Sequence, residues 1–136
     1  MVTIELKGRE IPLLYTVYEM KLIQEQIAPL DRATRIICGR DPEDEDKTIY
    51  GSVEQIDAVA KAIMILGNSG LEDAGETADL TYKGIMKALK PMQMPGAVNK
   101  IMDAMAEGML SEIPEKDDGP VDVVLEEINR KKEKTS

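Results

Sequence analysis

The stretch from residue 52 to residue 76 constrains the fold more than any other part of the chain. Its apolar residues recur at steps of three and four, the period of a helix with a broad buried face. They are Val53, Ile56, Val59, Ala60, Ile63 and Leu66. Ser52 and Gln55 have the spacing of a capping box, and Gly67 stands where a helix-terminating glycine belongs. We therefore predict a central helix over 53–66.

The segment Gly67-Asn68-Ser69-Gly70 predicts a break after that helix. Asn68 or Ser69 can then cap a short acidic helix that runs to Ala74. No Lys-Ser or Lys-Thr pair follows either glycine spacing, so the segment is not a phosphate-binding loop.

Alternating apolar and polar residues near the N-terminus predict a β-hairpin with strands over 2–6 and 10–14. Lys7-Gly8 supplies a two-residue turn, because glycine accepts a positive φ. This register places Ile4 opposite Ile11 on one face. An isolated hairpin is marginally stable, so that face must pack on helices.

Two further helices are predicted between the hairpin and the central helix. Thr16 and Glu19 have the spacing of a capping box at the start of the first helix. Pro29 should end or kink that helix near Ile27, because proline has no backbone N–H to donate to the preceding turn. Asp31 can cap the second helix, which Gly39 stops.

The remaining helices lie after residue 79. Asp79 or Thr81 caps a helix that Pro91 stops, and Pro95 fits the first turn of the next one. The apolar stripe of this last helix is rich in methionine: Val98, Ile101, Met102, Met105 and Met109. Such a stripe is more often core than surface. Thioether side chains also suit an adaptable binding groove, and both interpretations stay open.

Residues 114–120 form a charged linker with proline and glycine. Beyond it, an amphipathic segment carries Val121, Val124, Leu125 and Ile128 on one helical face; it either docks on its own domain or binds a partner.

The sequence thus predicts a mainly α single domain over 1–113, with about five helices and an N-terminal β-hairpin. A flexible C-terminal tail over 114–136 follows.

Charge and missing residue types exclude several classes of function. The net charge of −9 disfavours binding to nucleic acid and to anionic membranes, and no apolar run approaches the ~20 residues of a membrane span. The chain has no histidine and one cysteine, Cys38, which excludes zinc sites and histidine-based triads. The acidic loop 40–50 lacks the glycine and glutamate of a calcium-binding EF-hand. We expect a non-enzymatic protein without catalytic, cofactor-binding or metal-binding residues.

Several segments together resemble a known family. They are residues 15–25, 65–72 and 76–81, the triplet Glu107-Gly108-Met109, and residues 121–127. In their order and spacing, the chain is similar over nearly its whole length to the tail assembly chaperones of long-tailed bacteriophages and prophages.

The resemblance implies a protein made in the host bacterial cytoplasm, which binds the tape measure protein and keeps it soluble. It also implies recruitment of tail tube protein subunits during tail assembly. No catalytic residue comes with the family. The apolar and methionine content is compatible with a homo-oligomer.

A client rich in exposed apolar helix needs an adaptable apolar partner surface. We expect that surface around the end of the last helix and the predicted helix break. Its candidate residues are Leu66, Leu71, Met102, Met105, Met109 and Leu110, with Val124, Leu125 and Ile128 of the tail.

Two other functions fit the same composition. One is a small acidic structural or connector subunit that is retained in the phage particle. The other is an acidic nucleic-acid mimic, which is disfavoured because the acidic residues are dispersed among caps and loops, except at residues 41–46.

Overall fold

The computed structural model describes residues 1–44 and 46–111, with the backbone alone for Leu110 and Ser111. These residues form a β-hairpin, five α-helices and one 3-10 turn. The predicted fold class, mainly α with an N-terminal hairpin, is confirmed. The predicted linker and tail over 114–136 lie outside the described residues.

The hairpin joins β1 (Thr3–Leu6) to β2 (Arg9–Pro12) in antiparallel order. Ile4 lies opposite Ile11, which confirms the predicted register. Lys7 and Gly8 both have positive φ, 50° and 78°, as a two-residue turn of this type requires. The strands are shorter than predicted, although the Leu13 amide still donates to the Val2 carbonyl at 2.9 Å.

Helix α1 (Val17–Gln26) begins as predicted, with Thr16 as its N-cap and Glu19 completing the capping box. The buried carboxylate of Glu19 accepts from the Thr16 amide at 2.6 Å and also from the Thr16 hydroxyl. Pro29 follows the helix end, again as predicted.

Helix α2 (Leu30–Ile37) corrects one prediction about caps. Pro29 is its N-cap, no side chain caps it, and Asp31 lies in its first turn. The prediction that Asp31 is the cap is wrong, because the chain already enters the helix at the residue before it. Its carboxylate still suits the helix dipole there. Gly39 follows the C-cap with a φ of 82°, which confirms the predicted stop.

Helix α3 (Val53–Asp73) begins at the predicted N-cap, Ser52. The Gln55 side chain does not complete the capping box, so that part of the prediction is wrong. Its oxygen accepts from the Gly51 amide at 2.7 Å, and its nitrogen donates to the Ile37 carbonyl at 3.0 Å. This fully buried amide therefore joins the start of α3 to the end of α2.

Helix α3 continues through residues 67–70, so the predicted break and the separate short helix are wrong. Asn68 caps nothing. Its amide oxygen accepts from the Leu80 amide at 2.9 Å, and its nitrogen donates to the Leu80 carbonyl at 3.1 Å. The helix ends instead before Gly75, whose φ is 78°.

Two glycines inside α3 permit close approach, Gly70 by the backbone of Pro12 and Gly67 by the side chain of Leu80. A Cβ at Gly70 would lie 1.9 Å from the Pro12 carbonyl oxygen, and one at Gly67 would lie 2.5 Å from a Leu80 methyl carbon. The Leu14 amide donates to the Leu66 carbonyl at 3.1 Å across the same contact. Each internal glycine costs a helix roughly 0.5–1 kcal/mol relative to alanine. The apolar burial gained where the hairpin meets α3 offsets that cost.

Helix α4 (Tyr82–Ala88) is capped by Thr81, and a 3-10 turn (Pro91–Gln93) leads into α5 (Met94–Ser111). Pro95 lies in the first turn of α5, as predicted.

Helix α3 contacts the other four helices and β2, so it is the centre of the fold. The core has no exposure at Ile23, Ala33, Ile37, Val59, Ala62, Ile63, Leu66, Leu71 and Ile101. No helix among the described residues combines the length and apolarity that crossing a bilayer requires.

Gly70→Ala is expected to lower the free energy of unfolding by about 1–3 kcal/mol, because the added methyl group overlaps the Pro12 carbonyl. Gly96→Ala is the matched control, since a methyl group there meets no other atom within 4 Å. It should preserve stability or raise it by up to about 1 kcal/mol. Urea unfolding of both variants measures the difference. Equal stability of the two variants would contradict the close contact.

Thr16→Ala is expected to lower the free energy of unfolding by about 0.5–2 kcal/mol through loss of the N-cap. Its effect should not add fully to that of Glu19→Ala, because both variants remove the bond between the Thr16 hydroxyl and Glu19, whereas the bond from the Thr16 amide is lost in Glu19→Ala alone. A double-mutant cycle measured by denaturation gives the coupling. Additive effects would show that the bond between the hydroxyl and the carboxylate does not contribute to stability.

Candidate functional site

A groove of about 480 Å³ lies between the start of α1 and the end of α5. We call it the α1–α5 groove. Its lining residues are Tyr15, Thr16, Val17, Tyr18, Met20, Gly108 and Met109. None of these side chains carries a charge at neutral pH, in a chain where 32% of the residues are charged. The groove is therefore an apolar surface within a highly charged protein.

Three of the lining side chains are unusually exposed for apolar residues. Val17 is 76% exposed, Tyr18 58% and Met109 65%. Single exposed apolar residues are common on protein surfaces. Three that line one concavity form a contiguous patch, and such patches mark interaction sites more often than chance.

Backbone contacts fix the shape of the groove. A Cβ at Gly108 would lie 2.2 Å from the Tyr15 carbonyl oxygen, so the backbone of α5 touches the segment that precedes α1. Tyr15 is itself buried, and this burial, followed by the negative charge of Glu19, raises the pKa of its phenol. The capping box then sets the direction of α1. The groove is thus built on packed backbone rather than on a loop.

The structure places three of the predicted surface residues in the core. Leu66 and Leu71 have no exposure, and Met105 has 5%. Two of them were expected at the surface because a helix break was predicted beside them, and α3 has no break there. In this conformation their side chains are covered by the protein itself.

The other predicted residues are divided among different places. Met109 lines the α1–α5 groove, whereas Met102 is half-buried and lines a different depression, with Val98 and Arg35. In the methionine stripe, Met105 is therefore part of the core, whereas Met109 is exposed at the surface. The Leu110 side chain, Val124, Leu125 and Ile128 lie outside the described part of the chain.

Val17 and Tyr18 line the groove but were not among the residues predicted to bind a client. The sequence does contain a pattern that indicates them, because they are apolar residues in the first turn of α1 that lie off its buried stripe. Glu19 and Ile23 mark the buried side of that helix. An apolar residue that departs from the helical period is a candidate for binding rather than for packing.

The potentially reactive groups in the described residues include the Cys38 thiol and the carboxylates of the loop 40–50. Burial raises the pKa of the half-buried Cys38 thiol, although Arg40 opposes the effect, so little nucleophilic thiolate forms at neutral pH. In the acidic loop, Asp41 accepts from the amides of Glu43 and Asp44 at 2.7 and 3.2 Å. These carboxylates hold the loop backbone, and the described residues include no group of three or more potential metal ligands.

One exposed pair of titratable groups joins α3 to α4. The Tyr82 hydroxyl donates to Asp57 at 2.5 Å, and Lys61 pairs with the same carboxylate at 3.0 Å. The bond from Tyr82, with the help of Lys61, lowers the pKa of Asp57, while Asp57 raises the pKa of Tyr82. Both shifts keep each group in its usual state at neutral pH. The pair therefore links α4 to α3.

The α1–α5 groove is thus the strongest candidate for a functional site in the described residues, and its chemistry suits apolar binding. Comparison of the chain with protein-family models, with curated proteins and with solved structures finds no match.

Proposed function

We propose that this chain is a phage tail assembly chaperone and that its α1–α5 groove binds an apolar helical segment of the tape measure protein. Bound in this way, the client stays soluble in the host bacterial cytoplasm, and tail tube subunits are recruited to it. The observation that carries the proposal is the exposure of Val17, Tyr18 and Met109 along one groove. The resemblance of the sequence to tail assembly chaperones supplies the identity of the client.

The groove suits an amphipathic helix better than a polar ligand. A helix binds such a groove through apolar anchors spaced three or four residues apart, and its backbone polar groups are already paired. Met109 can adjust its rotamer to anchors of different shape, because its side chain is unbranched and its thioether is polarizable. Tyr18 adds a flat apolar face with a polar tip that stays hydrated at the rim.

Charge on the rest of the molecule serves the same function. The net charge of −9 keeps copies of the chain apart by electrostatic repulsion. A complex with an apolar client inherits this charge and is less able to aggregate. An apolar groove on an acidic body is what a chaperone for an aggregation-prone helix requires.

The proposal is non-enzymatic. Among the described residues, the buried carboxylate of Glu19 holds a helix cap, and the Cys38 thiol lies away from the α1–α5 groove. A chaperone needs affinity and solubility, and both come from the surface rather than from reactive groups.

Val17→Asp is expected to reduce client affinity at least tenfold, a loss of about 1.4 kcal/mol, because it puts a charge in the apolar groove. Val53→Asp is the matched control. Both residues directly follow an N-cap, both are highly exposed at 76% and 84%, and a new carboxylate favours both helix starts equally. Each variant, co-expressed with the tape measure protein of the same phage, is assayed for soluble complex and for affinity.

Equal affinity of Val17→Asp and Val53→Asp would exclude the groove as the client site. Met109→Lys, with Met92→Lys as its exposed control, tests the α5 side of the groove in the same way. Failure of the unsubstituted chain to form a complex would contradict the chaperone function itself. Its presence in purified phage particles would then favour the structural or connector subunit.

A further inference from the structure

A second apolar pocket, of about 330 Å³, opens between α4 and the first turns of α3 and α5. We call it the α3–α4 pocket. Its lining residues are Tyr50, Gly51, Ile56, Ala60, Met86, Leu89, Lys90, Pro91 and Met94. Tyr50 and Met86 are exposed there, and Leu89 and Met94 are half-buried. The pocket therefore presents apolar side chains that no described element covers.

The side of this pocket that α4 and the start of α5 form is basic, unlike the protein as a whole; Glu54 and Asp57 lie on the α3 side. Residues 80–102 contain four lysines and no acidic residue, in a chain with a net charge of −9. Lys90 lines the pocket, and Lys83 and Lys87 lie on α4. Within residues 1–44 and 46–111, these three lysines form no ion pair. The occupant that best matches this pocket is an apolar segment with acidic flanks.

The chain itself contains such a segment. Residues 112–128 include seven acidic residues and one lysine. Val121, Val124, Leu125 and Ile128 fall on one face at helical spacing. Asp122 and Glu127 flank that face, whereas Val123 falls on the opposite side of the same helical pattern. An apolar face with acidic flanks is the complement of an apolar pocket with lysines at its edge.

The length of the connection allows this contact within one molecule. Helix α5 runs from Met94 at the pocket to Ser111, a distance of about 26 Å at 1.5 Å per residue. The nine residues 112–120 span up to about 30 Å when extended. A chain that turns back at residue 112 therefore reaches the pocket beside the start of α5.

The α1–α5 groove is nearer to residue 111 but is a poorer match. No lysine or arginine of the described residues lines it. Asp103 and Glu107 lie on the part of α5 that leads to it, so the field at that end opposes an acidic segment. Charge therefore favours the α3–α4 pocket over the nearer groove.

We propose that residues 121–128 dock as an amphipathic helix in the α3–α4 pocket of their own chain, held by Val121, Val124, Leu125 and Ile128 and by the lysines of α4. Residues 112–120 tether this segment to its own pocket, so its effective concentration there is on the order of millimolar and no second molecule is needed. Docking covers the second apolar surface and leaves the α1–α5 groove open. The inference does not depend on the proposed function.

The test uses the full chain, with the methionine methyl groups labelled with ¹³C and assigned by Met→Leu variants. Val124→Asp is expected to shift the Met86 and Met94 signals, because it removes an apolar anchor from the pocket. Val123→Asp, the same chemical change on the opposite side of the segment, should leave both signals at their unsubstituted positions. The Met109 signal should not move in either variant. Asp122→Lys with Glu127→Lys should move Met86 and Met94 in the same direction as Val124→Asp.

Four results would overturn the proposal. The first is that Met86 and Met94 do not respond to Val124→Asp, and the second is that Val123→Asp shifts them equally. The third is a response of Met109 alone, which would place the segment in the α1–α5 groove. The fourth is a shift that grows with protein concentration, which would mean that the segment comes from a second copy. If the charge-reversed variant leaves Met86 and Met94 unchanged, the part assigned to the lysines is wrong.

Discussion

The contact between the Pro12 carbonyl and Gly70 of α3 is the constraint on which the rest of the structure depends. It brings the end of the hairpin onto the backbone of the central helix, where the Leu14 amide finds the Leu66 carbonyl. The chain then has only Tyr15 and Thr16 before α1 begins. The direction of α1, and with it one wall of the α1–α5 groove, therefore follows from a contact that requires glycine. Gly108 repeats the arrangement on the other wall.

Two side-chain amides, the buried Gln55 and the half-buried Asn68, supply the orientation that the core alone cannot. The chain has no Phe or Trp, and its core consists largely of aliphatic side chains. Such side chains can be packed in several ways with similar free energy. Gln55 between α2 and α3, and Asn68 between α3 and the start of α4, satisfy their hydrogen bonds in one arrangement only. An unpaired buried amide costs about 1–3 kcal/mol, so Gln55 selects that arrangement, and the half-buried Asn68 favours it more weakly.

Sequence patterns predicted the features that depend on neighbours along the chain. The hairpin register follows from side-chain alternation and Lys7-Gly8, and the start of α1 follows from the four residues of its capping box. The continuity of α3 was beyond such reasoning. Gly67 and Gly70 have the same local signal whether they end a helix or admit another backbone, and the partner at Pro12 is far away in sequence. The candidate site shows the same limit. Methionine spacing predicted that both Met105 and Met109 lie at the surface, but Met109 is exposed and Met105, one turn earlier, is buried.

The distance in sequence between Pro12 and Gly70 also has a consequence for synthesis of the protein on the ribosome. The hairpin emerges first, with Ile4, Leu6, Ile11 and Leu13 on a face that is buried only when α3 arrives. At about 5–20 residues per second, the residues from Leu13 to Gly70 take about 3–11 s to be made. The α5 contact at Gly108 comes later still. During that interval the nascent chain presents an apolar sheet face that α3 and α5 do not yet cover.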